Sequence, residues 1–283
     1  MIPGGSSRAQ WARLFEDRLF RLSKPFRRVN PDAIHVFGCQ KSGTSAVAQL
    51  TAMAGDLSAT VDIPTIWRTP VSDIVTGQST VQELVEAHRP YFSRELVKEP
   101  SLTPILDHVA GHVGLRKVVF VVRDPLTNVR SMLQRRGLEG SRPELAAEAF
   151  AAMMKGNWHW TYDWPHVYRP QAKFWSEGRH YIEGLGFLWS SCVASMERAK
   201  ENGVEVHVVR YEDFVKNKRG TVERILADFG RPVQQDVSAH VDVRFQPKGD
   251  HSVSVEDFFG ADNLARLEDV TRHGAHLFGY GGH

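Results

Sequence analysis

The residues of this chain most suited to chemistry lie in one short run, Phe37 to Ser45, FGCQKSGTS. Gly38 and Gly43 have the spacing of a phosphate-cradling loop, G-x-x-x-x-G-K-[ST], but Thr44 stands where the lysine of that pattern belongs. The cation sits inside the loop instead, at Lys41. Backbone amides of a glycine turn, together with the positive end of a following helix, hold an anion wherever the lysine stands. The hydroxyls of Ser42, Thr44 and Ser45 add donors at the helix start or serve as its N-cap. The glycines predict a phosphate site, and the shifted lysine raises the question of which phosphate chemistry needs it there.

The elements that must carry this loop follow from the apolar pattern. Residues 33–37 (AIHVF) form a short apolar strand running straight into the loop, and a helix over 44–54, closed by Gly55, follows it. Residues 95–98 are extended up to Glu99-Pro100, since proline disfavours helix in the residue before it. Residues 117–122 (KVVFVV) are the continuous β-branched run of a strand buried on both faces, and they deliver Arg123-Asp124-Pro125. A helix over 126–136 starts beside Pro125, where a missing N–H costs little. Another over 184–202 stops at Gly203 and gives way to a strand at 204–209, which hands over to Arg210-Tyr211-Glu212-Asp213. The alternation predicts an α/β fold with a mostly parallel central sheet flanked by helices on both faces, of the P-loop nucleotide-binding type. Ligands of such sheets bind beyond the carboxyl ends of the strands, where these polar groups cluster.

Composition sets the outer bounds. A chain of 283 residues, 42% apolar and 24% charged, is that of a globular protein with a substantial core. A net charge of +2 suits a small anionic ligand and gives no ground to expect a nucleic-acid partner. Two cysteines, Cys39 and Cys192, make no disulfide framework and no C-x-x-C site, so a reducing cytoplasmic location is expected. No window approaches the roughly 20 apolar residues of a membrane span. Residues 11–29 form a basic amphipathic helix, which has two readings: an arm packed on the domain or a peripheral contact with an anionic membrane. The expected organisation is this arm over residues 1–30 and a single domain over 31–283 with a tryptophan-rich insertion at about 138–182. The insertion contains Trp158, Trp160, Trp164 and Trp175, which suit either lid packing or stacking on a sugar ring, an aromatic alcohol or a cationic acceptor. His159, His166 and His180 have no ligand spacing, and no metal is expected.

With its lysine moved, Gln40-Lys41-Ser42-Gly43-Thr44-Ser45 resembles the loop P-K-S-G-T-[TS] of the sulfotransferases that use 3′-phosphoadenosine 5′-phosphosulfate (PAPS), with glutamine in place of the proline. The second signature of that family is an arginine at a strand end, a proline two residues on and a serine eight residues after the arginine. Arg123, Pro125 and Ser131 satisfy it, and Arg210-Tyr211-Glu212-Asp213-Phe214 is similar to the family's R-Y-E-D-L stretch. The resemblance implies that Lys41 meets the oxygen bridging phosphate and sulfate. It also implies that the loop amides with Gln40, Ser42, Gly43, Thr44 and Ser45 grip the 5′-phosphate, and that Arg123 and Ser131 hold the 3′-phosphate. Gln246-Pro247-Lys248-Gly249 resembles the basic K-G segment on the 3′-phosphate side. Arg123 read on its own could instead pair with Asp124 or a neighbouring carboxylate, and Lys248 could be a solvated loop lysine.

Sulfuryl transfer needs in-line attack and a base for the acceptor's proton. Some family branches place a carboxylate about twenty residues after the loop lysine, and others place a histidine on the next strand. Asp62, 21 residues after Lys41 in the loop TVDIP, is the first choice of base, and Glu99 is the second. Lys98-Glu99-Pro100 resembles the histidine branch's lysine-threonine-histidine with proline at the base's place, which keeps Lys98 near the sulfuryl group. Either carboxylate could instead be a surface charge or a helix cap. The implied activity is sulfuryl transfer from PAPS to a hydroxyl, less often an amine, of a small-molecule or carbohydrate acceptor, releasing the product PAP. The alternatives are a P-loop kinase with an aberrant loop, its magnesium carboxylate on VFVVRD, or a non-catalytic nucleotide-binding module.

Overall fold

The structure, a computed structural model, describes residues 27–63, 66, 71–75, 77–135, 137–141, 181–243 and 252–280. Most of the N-terminal arm, the tryptophan-rich segment with His159, His166 and His180, and Lys248 and Gly249 lie outside the described residues.

The five strands are β1 (Ile34–Phe37), β2 (Ala59–Val61), β3 (Leu96–Lys98), β4 (Lys117–Val122) and β5 (Glu205–Arg210). Every pairing is parallel and the order across the sheet is β2-β3-β1-β4-β5. After β1 the chain crosses to one side and then returns to the other, so the crevice beyond the carboxyl end of β1 is the ligand position of this topology. Strand β2 corrects the expectation of a loop at TVDIP: Thr60 and Val61 continue the sheet, pairing with Val97 and Lys98 of β3. A three-residue edge strand is too short to show a period in sequence.

The helices that matter for the site are α1 (Thr44–Gly55), α2 (Leu106–Val113), α3 (Pro125–Gln134), α4 (Tyr181–Glu201), α5 (Tyr211–Lys216), α6 (Lys218–Asp228) and α7 (Ala261–Leu277), with a 3-10 helix at Pro100–Ile105. Pro125 opens α3 as expected, with Asp124 as its cap. The left-handed residue that ends α1 is Asp56 at φ 49°, not Gly55, which stays helical against Leu226.

Alternation along the strands divides the core in two. Ile34, Val36, Val119 and Val121 pack with Val47 and Leu50 of α1 and with Val222 and Ile225 of α6. Phe37, Val97, Val118, Phe120 and Val122 pack on the opposite face with α2, α3, α4 and α7. Both faces of β1 and β4 are therefore covered, which is why KVVFVV is apolar without a break. No helix among the described residues is long and apolar enough to cross a membrane.

Candidate active site

The loop between β1 and α1 is built around two close approaches. A Cβ on Gly38 would lie 2.3 Å from Val121 O, and one on Gly43 would lie 2.4 Å from the Tyr211 ring; both residues have positive φ, at 150° and 92°. Only glycine fits either place. Gly38 is held by Thr103, whose Oγ1 accepts the Gly38 N–H and donates to the Gly38 carbonyl, both at 3.0 Å. Ser42 N–H donates to Cys39 O at 3.0 Å to close the turn, and Asn128 Nδ2 donates to the buried Ser42 Oγ at 3.0 Å. The loop is thereby tied to β4's following helix before any ligand arrives. No side-chain hydrogen bond caps the start of α1, which brings the positive end of the helix dipole to the loop.

Lys41 stands at φ 69° in the left-handed region. Its pKa is lowered, first by partial burial and then by three other cations, Arg135, Arg123 and Lys98. Arg135, Arg123 and Lys98 thus each disfavour the Lys41 ammonium, and an anion with several charges bound beside it would relieve that repulsion. Arg123 is half-buried at the end of β4: Nε donates to Thr127 Oγ1 at 3.2 Å, Nη1 donates to Lys41 O at 3.1 Å, and the guanidinium stacks over the Tyr211 ring at 4.8 Å. Burial lowers its pKa, while Tyr211, Glu212 and Asp124 oppose that shift. Trp189 Nε1 of α4 donates to Arg123 O at 3.0 Å, and Asp124 Oδ1 accepts the Thr127 N–H at 2.8 Å as the α3 cap. Ser131 is half-buried on α3, one turn before Arg135, whose N–H donates to Ser131 O at 3.2 Å.

The two carboxylates differ sharply in their surroundings. Asp62 follows β2 at φ 64°; its N–H donates to Lys98 O at 2.9 Å, and its Oδ1 receives Lys98 Nζ at 2.5 Å. The lysine side chain is 3% exposed and the aspartate 58%. Glu99 is buried, and both of its oxygens are engaged by the backbone: Oε2 accepts Ile63 N–H at 2.8 Å and Oε1 accepts Ser101 N–H at 3.0 Å. Burial raises its pKa, the Ile63 amide opposes that, and nearby Asp62 adds to the rise.

Lys41, Lys98, Arg123 and Asp62 thus come to the carboxyl ends of β1, β2, β3 and β4, as the order of the sheet requires. A model of the sulfotransferase domain matches residues 31–247 of the chain, which is most of its length.

The chain belongs to the PAPS-dependent sulfotransferase family.

No curated protein matches this sulfotransferase. Among solved structures it is similar to the sulfotransferase domain of the Synechococcus PCC 7002 olefin synthase, at 14% identity over 91% of this chain and 97% of that one, with a TM-score of 0.48. It is also similar to a sulfotransferase from Alicyclobacillus acidocaldarius, at 17% identity over 84% and 95%, with a TM-score of 0.41. A third likeness, to a mouse sulfotransferase complexed with PAP, has 15% identity over 92% and 70% and a TM-score of 0.38. These likenesses are remote, and membership of the family rests on the domain match.

Several residues that serve the site carry no local motif. Thr103, Asn128, Arg135 and Trp189 reach it only because the sheet brings β1, β3 and β4 side by side. Arg135 alone had a sequence signal, its place one helical turn after Ser131. Cys39, unexplained by the loop chemistry, is a buried free thiol that interacts with the thiol of Cys192, whose pKa burial raises.

Proposed function

We propose that this sulfotransferase moves the sulfuryl group of PAPS to a hydroxyl, less readily an amine, of a small-molecule or carbohydrate acceptor, with Asp62 as general base and Lys41 as the cation at the leaving group. The observation that carries this reading is the placement of Asp62: an exposed carboxylate bonded to buried Lys98 of β3, the strand that lies between Asp62's own strand and β1, whose loop holds Lys41. The residues present fit the donor's charge. Lys41 is repelled by Arg135, Arg123 and Lys98, and the loop leads into the positive end of the α1 dipole, so an anion with two phosphates and a sulfate suits the charge of this site.

In this reading the α1 amides with Ser42, Thr44 and Ser45 hold the 5′-phosphate, and Arg123, Ser131 and Arg135 hold the 3′-phosphate. Lys248 and Gly249 belong to the same grip by resemblance. Asp62 takes the proton of the acceptor hydroxyl as that oxygen forms its bond to sulfur. The bond between sulfur and the bridging oxygen breaks, Lys41 neutralises the charge left on that oxygen, and PAP departs with the electron pair. Lys98, held by its burial and bonded to Asp62, offsets charge on the sulfuryl oxygens. Glu99, with both oxygens engaged by backbone amides, supports the turn that carries Asp62. The free thiols of Cys39 and Cys192 are consistent with a reducing, cytoplasmic setting.

The test is isotope transfer with a panel of phenols, alcohols, sugars and amines. Radiolabelled sulfur from PAPS is expected to enter an acceptor, and label from the γ-phosphate of ATP is not. Transfer of the ATP label, or stabilisation by ATP with magnesium and none by PAP, would overturn the reading.

A further inference from the structure

Past residue 247 the chain leaves the span of the domain match, yet it comes back to the donor end of the sheet. Helix α7 closes with a turn in which Phe278 N–H donates to Gly274 O at 3.2 Å, Gly279 N–H to His276 O at 3.1 Å and Tyr280 N–H to Ala275 O at 2.8 Å. Phe278 stacks on Phe120 of β4, with ring centroids 6.1 Å apart and planes 20° from parallel. The turn is therefore docked on the central sheet, and it delivers Tyr280 to the carboxyl ends of β4 and β5.

There the Tyr280 hydroxyl donates to Glu212 Oε2 at 2.7 Å and lies 3.4 Å from Val122 O. The Arg210 guanidinium covers its ring at 4.7 Å. The other oxygen of Glu212, Oε1, accepts the Asp124 N–H at 3.1 Å. That amide belongs to the peptide joining Arg123 to Asp124, the corner where β4 turns into α3. One carboxylate therefore links the phenol of the last described residue to the backbone that aims Arg123.

The charges give this link a second consequence. Glu212 lies close enough to Arg123 to favour its charged form, as a phosphate would. A carboxylate free to swing onto the guanidinium would compete with an incoming anion. With one oxygen on a phenol and the other on a backbone amide, Glu212 is held in place. The phenol remains the donor of its bond, because burial, followed by the Glu212 contact, raises its pKa.

We propose that Tyr280 is a positioning residue for the 3′-phosphate of the donor: through Glu212 it sets the Arg123–Asp124 corner and keeps that carboxylate from occupying the arginine. This rests on the reading of Arg123 as a 3′-phosphate ligand, and the experiment separates the two. Dissociation constants of PAP and of adenosine 5′-monophosphate, which lacks the 3′-phosphate, are measured by calorimetry for the full chain, for Arg123→Ala and for Tyr280→Phe. The phenylalanine keeps the ring under Arg210 and removes only the hydroxyl.

Arg123→Ala is expected to weaken PAP by at least about thirtyfold, the loss typical of a buried charge partner, with the monophosphate nearly unchanged. Tyr280→Phe is expected to weaken PAP about five- to tenfold, as for one lost hydrogen bond, with the monophosphate changed by less than about twofold. An equal loss of both ligands in Tyr280→Phe would make the tyrosine merely structural and overturn the proposal. Unchanged PAP affinity in Tyr280→Phe, beside a selective loss in Arg123→Ala, would overturn it while leaving the donor reading intact. An unselective loss in Arg123→Ala would remove the reading on which it rests.

Discussion

Lys98 and Asp62 face each other across the ends of two neighbouring strands, Nζ to Oδ1 at 2.5 Å, with the lysine buried and the aspartate open to solvent. The asymmetry suits a base. The carboxylate can be reached by an acceptor, while the ammonium that orients it is fixed by the core. Asp62→Asn keeps the shape and removes the proton acceptor, so kcat is expected to fall about a hundredfold or more with PAP affinity within about twofold. Steady-state kinetics alongside PAP titration checks this, and a near-normal rate would exclude Asp62 as the base.

Lys41 is expected to act mainly on the leaving group. Lys41→Ala should lower kcat by about two to three orders of magnitude, the cost of removing one preorganised charge-stabilising group. PAP affinity should fall much less, since the α1 amides and Arg123 remain. Equal losses in kcat and in affinity would show that the lysine binds ground state and transition state alike.

Glu99 is expected to act through Asp62. Glu99→Gln replaces one acceptor oxygen with an N–H group facing a backbone donor, so the turn at Asp62 and Ile63 should loosen and kcat should fall about ten- to hundredfold. The Asp62→Asn/Glu99→Gln pair should be no slower than Asp62→Asn alone. Additive losses in this cycle would give Glu99 a role of its own.

His35 sets a limit on acid stability. It is fully buried on β1, stacked with Phe37 and Phe92, and its Nε2 has no hydrogen-bond partner among the described residues. Burial lowers its pKa from 6.5 to about 3. The unfolded chain therefore binds this proton first: the stability contributed by neutral His35 is complete above pH 6.5 and is lost as pH falls toward 3. The loss is about 1.4 kcal/mol for each pH unit in that window. Denaturant melts between pH 7 and pH 4 should show a shallower fall for His35→Leu than for the parent, and parallel curves would remove His35 as the cause.

What could be read from sequence was whatever is written in consecutive residues. The loop Gly38 to Ser45, the apolar run Lys117–Val122 and the spacing of Arg123, Pro125 and Ser131 were legible because backbone turns and strand ends act over a few residues. These sufficed for the fold class, the sulfotransferase resemblance and the choice of Lys41, Arg123 and Asp62. The strand at Ala59–Val61 was not legible, because three edge residues show no period and owe their conformation to β3 beside them.

The contrast between the two carboxylates was decided only by the tertiary structure. In sequence only the spacing from Lys41 ranks Asp62 ahead of Glu99, and either could be a surface charge or a cap; once β2 and β3 pair, one is exposed on a buried lysine and the other has both oxygens on backbone amides. The contacts of Thr103 with Gly38, of Asn128 with Ser42 and of Tyr280 with Glu212 span 65, 86 and 68 residues. No local pattern encodes such contacts. They exist because a parallel sheet brings distant strand ends to one edge, where unpaired polar groups must find each other.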